Sequence, residues 1–310
     1  MAEGLKMFYA RYISDKTNAI PVSDIKPEAK DGLICQYCEA KISLVSAHKR
    51  NGRQVSAYLR LQKNAKHSTN CDNMVRSAVN KFVAQSRNAE DDEPIFEEEN
   101  KTIIFRMNIL IKSGNAMKAA LIAMNNEPDP EKKSRKRTQY QRLEKQLSSY
   151  LNSASGIAKI RARIEESSDK KLLSDLIKID LYDQTINWND FFYDEDRYPI
   201  LFKRANKINH PIAILLTVKE PQKCVEKSDG KFYSLKGEIC NVNNNDNTKN
   251  YFSPSLTSFS SSLLNTLKPQ EEIIVVGYFR TSTNPWKNGI TYKNLNFIIN
   301  DKKQIKLLKG

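Results

Sequence analysis

Four residues in the first quarter of the chain have the types and spacing of a metal centre. Cys35 and Cys38 form C-x2-C, and His67 and Cys71 form H-x3-C. Thiolates and a neutral imidazole are soft donors. Three sulphurs and one nitrogen complete a tetrahedron and leave no open position for a substrate, so a closed structural zinc site is expected. The alternative for the whole set is free cysteines buried as small hydrophobes. His48, ten residues after Cys38, competes with His67 as the nitrogen donor, but it flanks a predicted turn and reads as a solvated residue. Cys224 and Cys240 lack a paired histidine and are expected to be core thiols. Five cysteines do not read as a disulfide framework. The first eleven residues lack an apolar segment and a small-residue cleavage site, so a cytosolic protein is expected.

Charge points to a second kind of chemistry. Fifty Lys and Arg against thirty-six Asp and Glu leave a net +14 over 310 residues, a surplus that favours a polyanionic partner, nucleic acid first. Between Glu39 and Arg87 ten basic residues stand against two acidic ones. Arg50, Arg53, Arg60, Lys63 and Lys66 are the candidate phosphate contacts there, each neutralised phosphate releasing a counterion. The densest run, KKSRKR, supplies Lys132, Lys133, Arg135, Lys136 and Arg137, with a solvated helix end as its alternative reading. Near the carboxy end aromatic residues alternate with basic ones and asparagine. Arg280, Trp286, Lys287, Tyr292 and Lys293 are candidates for stacking bases and holding phosphates. Trp286, in a loop over residues 284–289, is the leading ring and Tyr292 the second.

These residues need elements to position them. Residues 41–47 and 54–61 alternate, with Asn51-Gly52 between them, which predicts a hairpin. Met74, Val75, Ala78, Val79 and Phe82 recur at helical spacing behind Asp72, a possible N-cap. An acidic run at 89–100 marks a boundary. The run 102–112 reads as a strand, and a helix is expected from there to Met124. Residues 131–166 read as one or two amphipathic helices, followed by a short helix, a strand over 177–182, and an aromatic patch at Trp188, Phe191, Phe192 and Tyr193 that reads as core. After Pro211 come strands over 212–218, 232–242, 272–281, 290–299 and 304–308. A helix over 253–268 is expected from Leu256, Phe259, Leu263, Leu264 and Leu267, and a loop from the Asn-rich 241–250. The resulting expectation is an α+β protein: a zinc-bound hairpin-helix module at 1–88, a mainly helical middle at 89–206, and an OB-like β-barrel at 207–310.

The leader over residues 8–21 (FYARYISDKTNAIP), the C-x2-C, the strand containing Ala57, Tyr58, Leu59 and Arg60, and the following His and Cys resemble the amino-terminal segment of competence-protein CoiA-like proteins, over residues 8–80. That family carries a predicted restriction-like nuclease domain, which uses an Asp followed by Glu-x-Lys or Asp-x-Lys on adjacent strands. The sequence departs from the family here. Asp175 with Lys178, and Glu99 with Lys101, lack a second acidic partner, so nuclease activity is not carried over.

Phosphate-cradling glycine loops, H-E-x-x-H and G-x-S-x-G are absent from the sequence, and three histidines give little material for acid-base catalysis. No run of about eighteen apolar residues exists to span a membrane. The function expected is binding of nucleic acid without catalysis, with single-stranded DNA or junctions preferred. A divergent metal-dependent nuclease of CoiA-like type, or a module for an acidic protein partner, is the alternative.

Overall fold

The computed structural model describes residues 4–26, 28, 31–50, 53–86, 94–182, 184–227, 230–243, 249–287 and 289–309. The Asn51-Gly52 pair, part of the acidic run and residues 244–248 of the expected loop lie outside them.

The amino-terminal part contains β1 (Tyr9–Tyr12), β2 (Asp15–Pro21), β3 (Leu33–Cys35), β4 (Ile42–Val45), β5 (His48–Arg50), β6 (Arg53–Val55), β7 (Tyr58–Leu61) and α1 (Val75–Ser86). The expected hairpin is one antiparallel excursion in two paired stretches, β4 with β7 and β5 with β6. Helix α1 buries Val75, Val79 and Val83, the period-four stripe an amphipathic helix turns inward. The Asp72 carboxylate pairs with Lys81.

The middle contains β8 (Phe96–Glu99), β9 (Thr102–Arg106), α2 (Met107–Asn125), α3 (Pro130–Ala162), α4 (Ser167–Leu176), β10 (Ile177–Leu181), β11 (Gln184–Ile186), α5 (Trp188–Phe191), β12 (Phe192–Tyr193) and α6 (Tyr198–Arg204). Strand β9 stops at Arg106, six residues before the expected end, and the chain turns directly into α2. A continuous apolar run carries no period that separates a buried strand from a buried helix. Ile103, Ile104 and Phe105 are buried in succession because β9 sits inside its sheet, antiparallel to β8 and parallel to β10. Helix α3 starts at Pro130 with the Asp129 carboxylate capping Glu131 and Lys132, and it is buried only from Tyr150 onward. The aromatic patch at Trp188, Phe191, Phe192 and Tyr193 is core, as expected.

The last part contains β13 (Ile212–Thr217), β14 (Lys223–Lys227), β15 (Gly230–Lys236), β16 (Cys240–Asn243), β17 (Lys249–Ser258), β18 (Glu272–Gly277), β19 (Phe279–Pro285), β20 (Ile290–Ile298) and β21 (Ile305–Leu307). They pair in one sheet ordered β12-β13-β18-β21 and another ordered β14-β15-β17-β20-β19, with β16 also on β17. The two meet where Val218 bridges Gly237, and the chain passes from β18 to β19 with one intervening residue. Most pairs are antiparallel, but β17 runs parallel to β20.

The helix expected over 253–268 is not formed. Residues through Ser258 are β17, followed by one 3-10 turn at Ser261–Leu263. Phe252, Pro254, Leu256 and Ser258 are buried in alternation, a period of two, whereas Phe259, counted in the helical stripe, is 76% exposed.

Three apolar clusters hold the fold. One lies under the amino-terminal strands around Met7, Leu33, Ile42 and Leu59. A second joins residues of the two carboxy-terminal sheets, from Ile212 to Ile299, with Tyr193, Tyr198 and Leu201 from the preceding segment. The largest joins Leu5 and Phe8 to α1, to the middle sheet and helices, and to Ala213, Ile274 and Val276. At its centre Gly156 of α3 lets the Phe82 ring of α1 lie against the helix backbone, where an added Cβ would fall 2.1 Å from the ring. Phe82 is itself set edge-on against Phe96, so it has little room to retreat. Gly156→Ala is expected to destabilise the protein by about 1–3 kcal/mol through overpacking, read as a lower denaturation midpoint. A midpoint unchanged from the parent would refute this packing.

Candidate metal centre and nucleic-acid face

The four predicted ligands converge. The ligating atoms of Cys35, Cys38, His67 and Cys71 all lie within 4.8 Å of one another, and all four side chains are buried. Cys35 ends β3, and its backbone N–H donates to the Ala40 carbonyl at 2.9 Å, closing a tight knuckle that carries Cys38 back toward it. His67 and Cys71 sit in the turns before α1, where Cys71 N–H donates to Ser68 O and Met74 N–H to Cys71 O.

The donor set fits a cation. Sulphur ligands about 2.3 Å from a tetrahedral ion lie about 3.8 Å apart. The Cys35 and Cys71 sulphurs are 3.6 Å apart, and His67 Nδ1 is 3.3 Å from both Cys38 Sγ and Cys71 Sγ. The imidazole therefore faces the sulphurs through Nδ1. The hydrogen bond from Cys71, followed by those from His67, the Tyr37 N–H and Asn73 Nδ2, lowers the Cys35 pKa to about 3. Cys71, sharing its proton with Cys35 and buried, is pushed up. A cation that takes the site displaces that proton, so occupancy falls as pH falls.

Three supporting residues were not singled out from the sequence. Arg11 donates from Nε and Nη2 to the Cys35 carbonyl and from Nη2 to the Cys38 carbonyl, fixing the knuckle. Asn73 donates to Cys35 Sγ at 3.3 Å and accepts from Arg163, whose guanidinium also donates to Lys6 O. The centre is thus tied to the end of α3. Such outer partners orient ligands, but a lone Asn or Arg has no spacing signature.

His48 is exposed, as expected, with Nδ1 3.0 Å from Ser46 O. Cys224 is exposed on β14, which corrects its reading as a core thiol, while Cys240, on β16, is half-buried and packs against the edge of the second core.

The basic residues occupy three places. Arg60, Lys63 and Lys66 are exposed at the end of β7 and in the loop leading to His67, and Arg50 opposes Arg53 across β5 and β6. Lys132, Lys133, Arg135 and Arg137 are exposed on the first turns of α3. Lys132 is 3.7 Å from Asp129, and Lys136 pairs with Glu127, so part of that run is already engaged.

The third place is a sheet face. Register sets Tyr292 beside Tyr251 on one side and Asn284 on the other, and residues directly opposite share a face. Tyr251 and Tyr292 stack with centroids 5.5 Å apart, and the Trp286 ring meets Tyr292 edge-on at 6.3 Å. Trp286 is 64% exposed, with Lys287 exposed beside it. Further along the same face lie Arg280, Ser282 and Asn294, where Asn294 donates to Ser282, and Asn296, which accepts from Ser255 and Thr257. Lys293 does not belong to this face. It opposes Phe252 in register, and its ammonium lies 5.4 Å from the Phe252 ring centre and 5.6 Å from that of Phe202, on the core side. Alternation along β20 sends adjacent residues to opposite faces, which separates Lys293 from Tyr292. Tyr251 was missed because the helix expected over 253–268 hid the strand that carries it.

No family model matches the chain, and no curated protein matches it. Among solved structures, the chain is similar to the small single-stranded DNA-binding protein from Streptomyces coelicolor, at 11% identity and a TM-score of 0.21, over 29% of this chain and 88% of that one. It is also similar to Plasmodium falciparum SSB in complex with ssDNA, at 11% identity and a TM-score of 0.21, over 31% and 90%.

The four residues considered for a nuclease centre are all exposed. Asp175 is exposed on α4 and Lys178 on β10, while Glu99 and Lys101 flank the turn between β8 and β9. Among the described residues, the cysteine-histidine cluster is the one group of three or more His, Cys, Asp or Glu side chains close enough to share a metal ion. No described helix is long and apolar enough to cross a membrane.

Proposed function

We propose that this protein binds nucleic acid without catalysis, with single-stranded DNA or junctions preferred, on the outer face of its larger carboxy-terminal sheet. The observation that carries the reading is the aromatic group on that face. Trp286 is largely exposed beside the stacked Tyr292 and Tyr251, amid serine, threonine and asparagine. A soluble sheet face gains nothing in isolation from an exposed indole, whereas base stacking on such rings is favourable and tolerant of sequence. Arg280 and Lys287 are the phosphate partners on this face.

The strands are read as an OB-like barrel. What supports this reading is that the two sheets share the second core, touch through the Val218–Gly237 bridge, and are joined by the chain passing from β18 to β19 across one residue. Barrels of this type bind strands across one exposed sheet face and its loops. The metal is read as zinc, since three thiolates with one imidazole suit it and no ligand position is left for chemistry. Its residues would hold the knuckle and the loop carrying Lys63 and Lys66 in place.

The test is a titration of short single- and double-stranded DNA and RNA at several salt concentrations. Single-stranded DNA is expected to bind tightest, with log affinity falling linearly by about 0.7 per phosphate contact against log salt. A flat salt response, or equal affinity for duplex, sinks the reading. Lys63→Glu combined with Lys66→Glu is expected to weaken all sequences alike and to flatten the salt slope, because phosphate contacts carry no sequence information. An unchanged slope would remove these lysines from the binding surface.

A further inference from the structure

A cavity of about 440 Å³ lies between α2, α3 and the start of β19. Ile111, Gly114 and Met117 of α2, Leu147 of α3, and Tyr278 and Phe279 line it. We infer that it accepts one unpaired nucleobase at the end of a single strand bound along β19. The inference rests on the proposed strand-binding face and adds a second, separate subsite to it.

Gly114 provides the first argument. It sits near the middle of a 19-residue helix, where glycine is unfavourable relative to alanine because of the backbone freedom it must give up. A packing reason is easy to see at Gly156, where a Cβ would strike Phe82, but a Cβ at Gly114 would meet nothing within 4 Å. The helix thus carries an unfavourable residue on a cavity wall where a side chain has room. What the glycine preserves is the space itself.

The lining identifies the occupant. The volume lies in the range of small-ligand pockets, and its walls are mostly apolar with an aromatic side. Lys118 and Arg280 are balanced by Glu144 and Asp301, so the cavity has no surplus charge for a bare phosphate. Asp301 already accepts from the Lys303 N–H. A flat ring with amino and keto edges matches apolar walls bordered by both donors and acceptors. Arg280 then links the two subsites. Its position alternates with that of Phe279, which stacks on Phe297 in the core, so Arg280 belongs to the outer face that carries Tyr292, and it also lines the cavity. A strand stacked at Trp286 and following β19 reaches Arg280 after six residues, about 20 Å, and there it meets α2 and the cavity. A base that can stack no further on the sheet turns in.

Oligothymidines with an abasic residue at the first, the last or a middle position, bound to the parent and to Gly114→Leu, test this assignment. An abasic residue at one end is expected to weaken binding to the parent about 5-fold or more, the lower end of what one stacked base is worth. Gly114→Leu fills the cavity from an open position on the helix. It is expected to bind the intact strand as weakly as the parent binds the end-abasic one, to be indifferent to that abasic end, and to melt no earlier than the parent. Neutral abasic residues at both ends in the parent overturn the assignment, as does a folded Gly114→Leu that binds like the parent. If the leucine variant does not fold, the end-abasic comparison in the parent decides alone. A parent that binds no single strand at any salt removes the face and the cavity together, whereas a parent that binds with indifferent ends removes only the cavity.

Discussion

Replacing Cys38 with serine is expected to empty the metal centre and unfold the amino-terminal strands while the carboxy-terminal sheets persist. The effect is large because the module is small. The cluster under these strands comprises ten buried residues, three of which are the cysteines themselves. Structural zinc in modules of this kind contributes about 10–16 kcal/mol of apparent folding free energy at neutral pH, more than such a cluster supplies. Serine keeps the size and loses the thiolate. Without the ion, two sulphurs and an imidazole are left buried in a knuckle held by hydrogen bonds alone, from Arg11, from Asn73 and between Cys35 N–H and the Ala40 carbonyl. The carboxy-terminal cluster, from Tyr193 to Ile299, shares no member with it and has its own strand pairing. Elemental analysis should read one zinc in the parent and none in the variant. Limited proteolysis should cut the variant before Cys71 and leave residues after Pro211 protected. Zinc release to a chelator should rise as pH falls, because protons compete for the thiolates. Protein purified without chelator that carries no zinc would defeat this account.

The metal centre was legible because ligation imposes spacing. Two residues between Cys35 and Cys38, and three between His67 and Cys71, are constraints of a knuckle and of a helix start, and both survive without knowledge of the tertiary fold. Helix α1 was legible for a similar reason, since its apolar stripe is contained in one element. The strand at β17 was not. Leu256 belongs to the strand, Leu264 and Leu267 to the segment after a 3-10 turn, and Phe259 to the solvent between them, yet their spacings together imitate a helix. The true signal was the alternation of Phe252, Pro254, Leu256 and Ser258. It was weakened by a proline and a serine at buried positions, which are polar or strand-breaking by type and are accommodated by their neighbours in the sheet. Lys293 failed differently. Its strand was read correctly, but its side was left open. A basic residue next to an aromatic one in a strand faces away from it, and only the partners Phe252 and Phe202 reveal which way.

Trp286→Ala is expected to weaken single-strand binding by about 5- to 150-fold, to affect duplex binding far less, and to leave stability nearly unchanged. One stacked base is worth about 1–3 kcal/mol, which sets the range. The stability half follows from exposure. A buried tryptophan truncated to alanine costs about 3–5 kcal/mol, but this residue is 64% exposed and its ring meets Tyr292 edge-on at 6.3 Å. Such a contact contributes about 0.5–1.5 kcal/mol. The backbone does not depend on the side chain, since the Trp286 N–H donates to the Ile290 carbonyl at 2.8 Å whatever the residue. Tyr292→Ala is the informative companion. It removes the ring that contacts both Trp286 and Tyr251, so it should weaken binding at least as much while lowering the midpoint more. Tyr292→Phe keeps the ring and should bind like the parent if stacking, rather than the hydroxyl, is what the face supplies. Binding titrations of the three variants, paired with melting curves, separate these effects. A Trp286→Ala variant that binds single strands like the parent, with the same melting midpoint, would mean that the exposed ring serves another partner and that the sheet face is not the nucleic-acid platform.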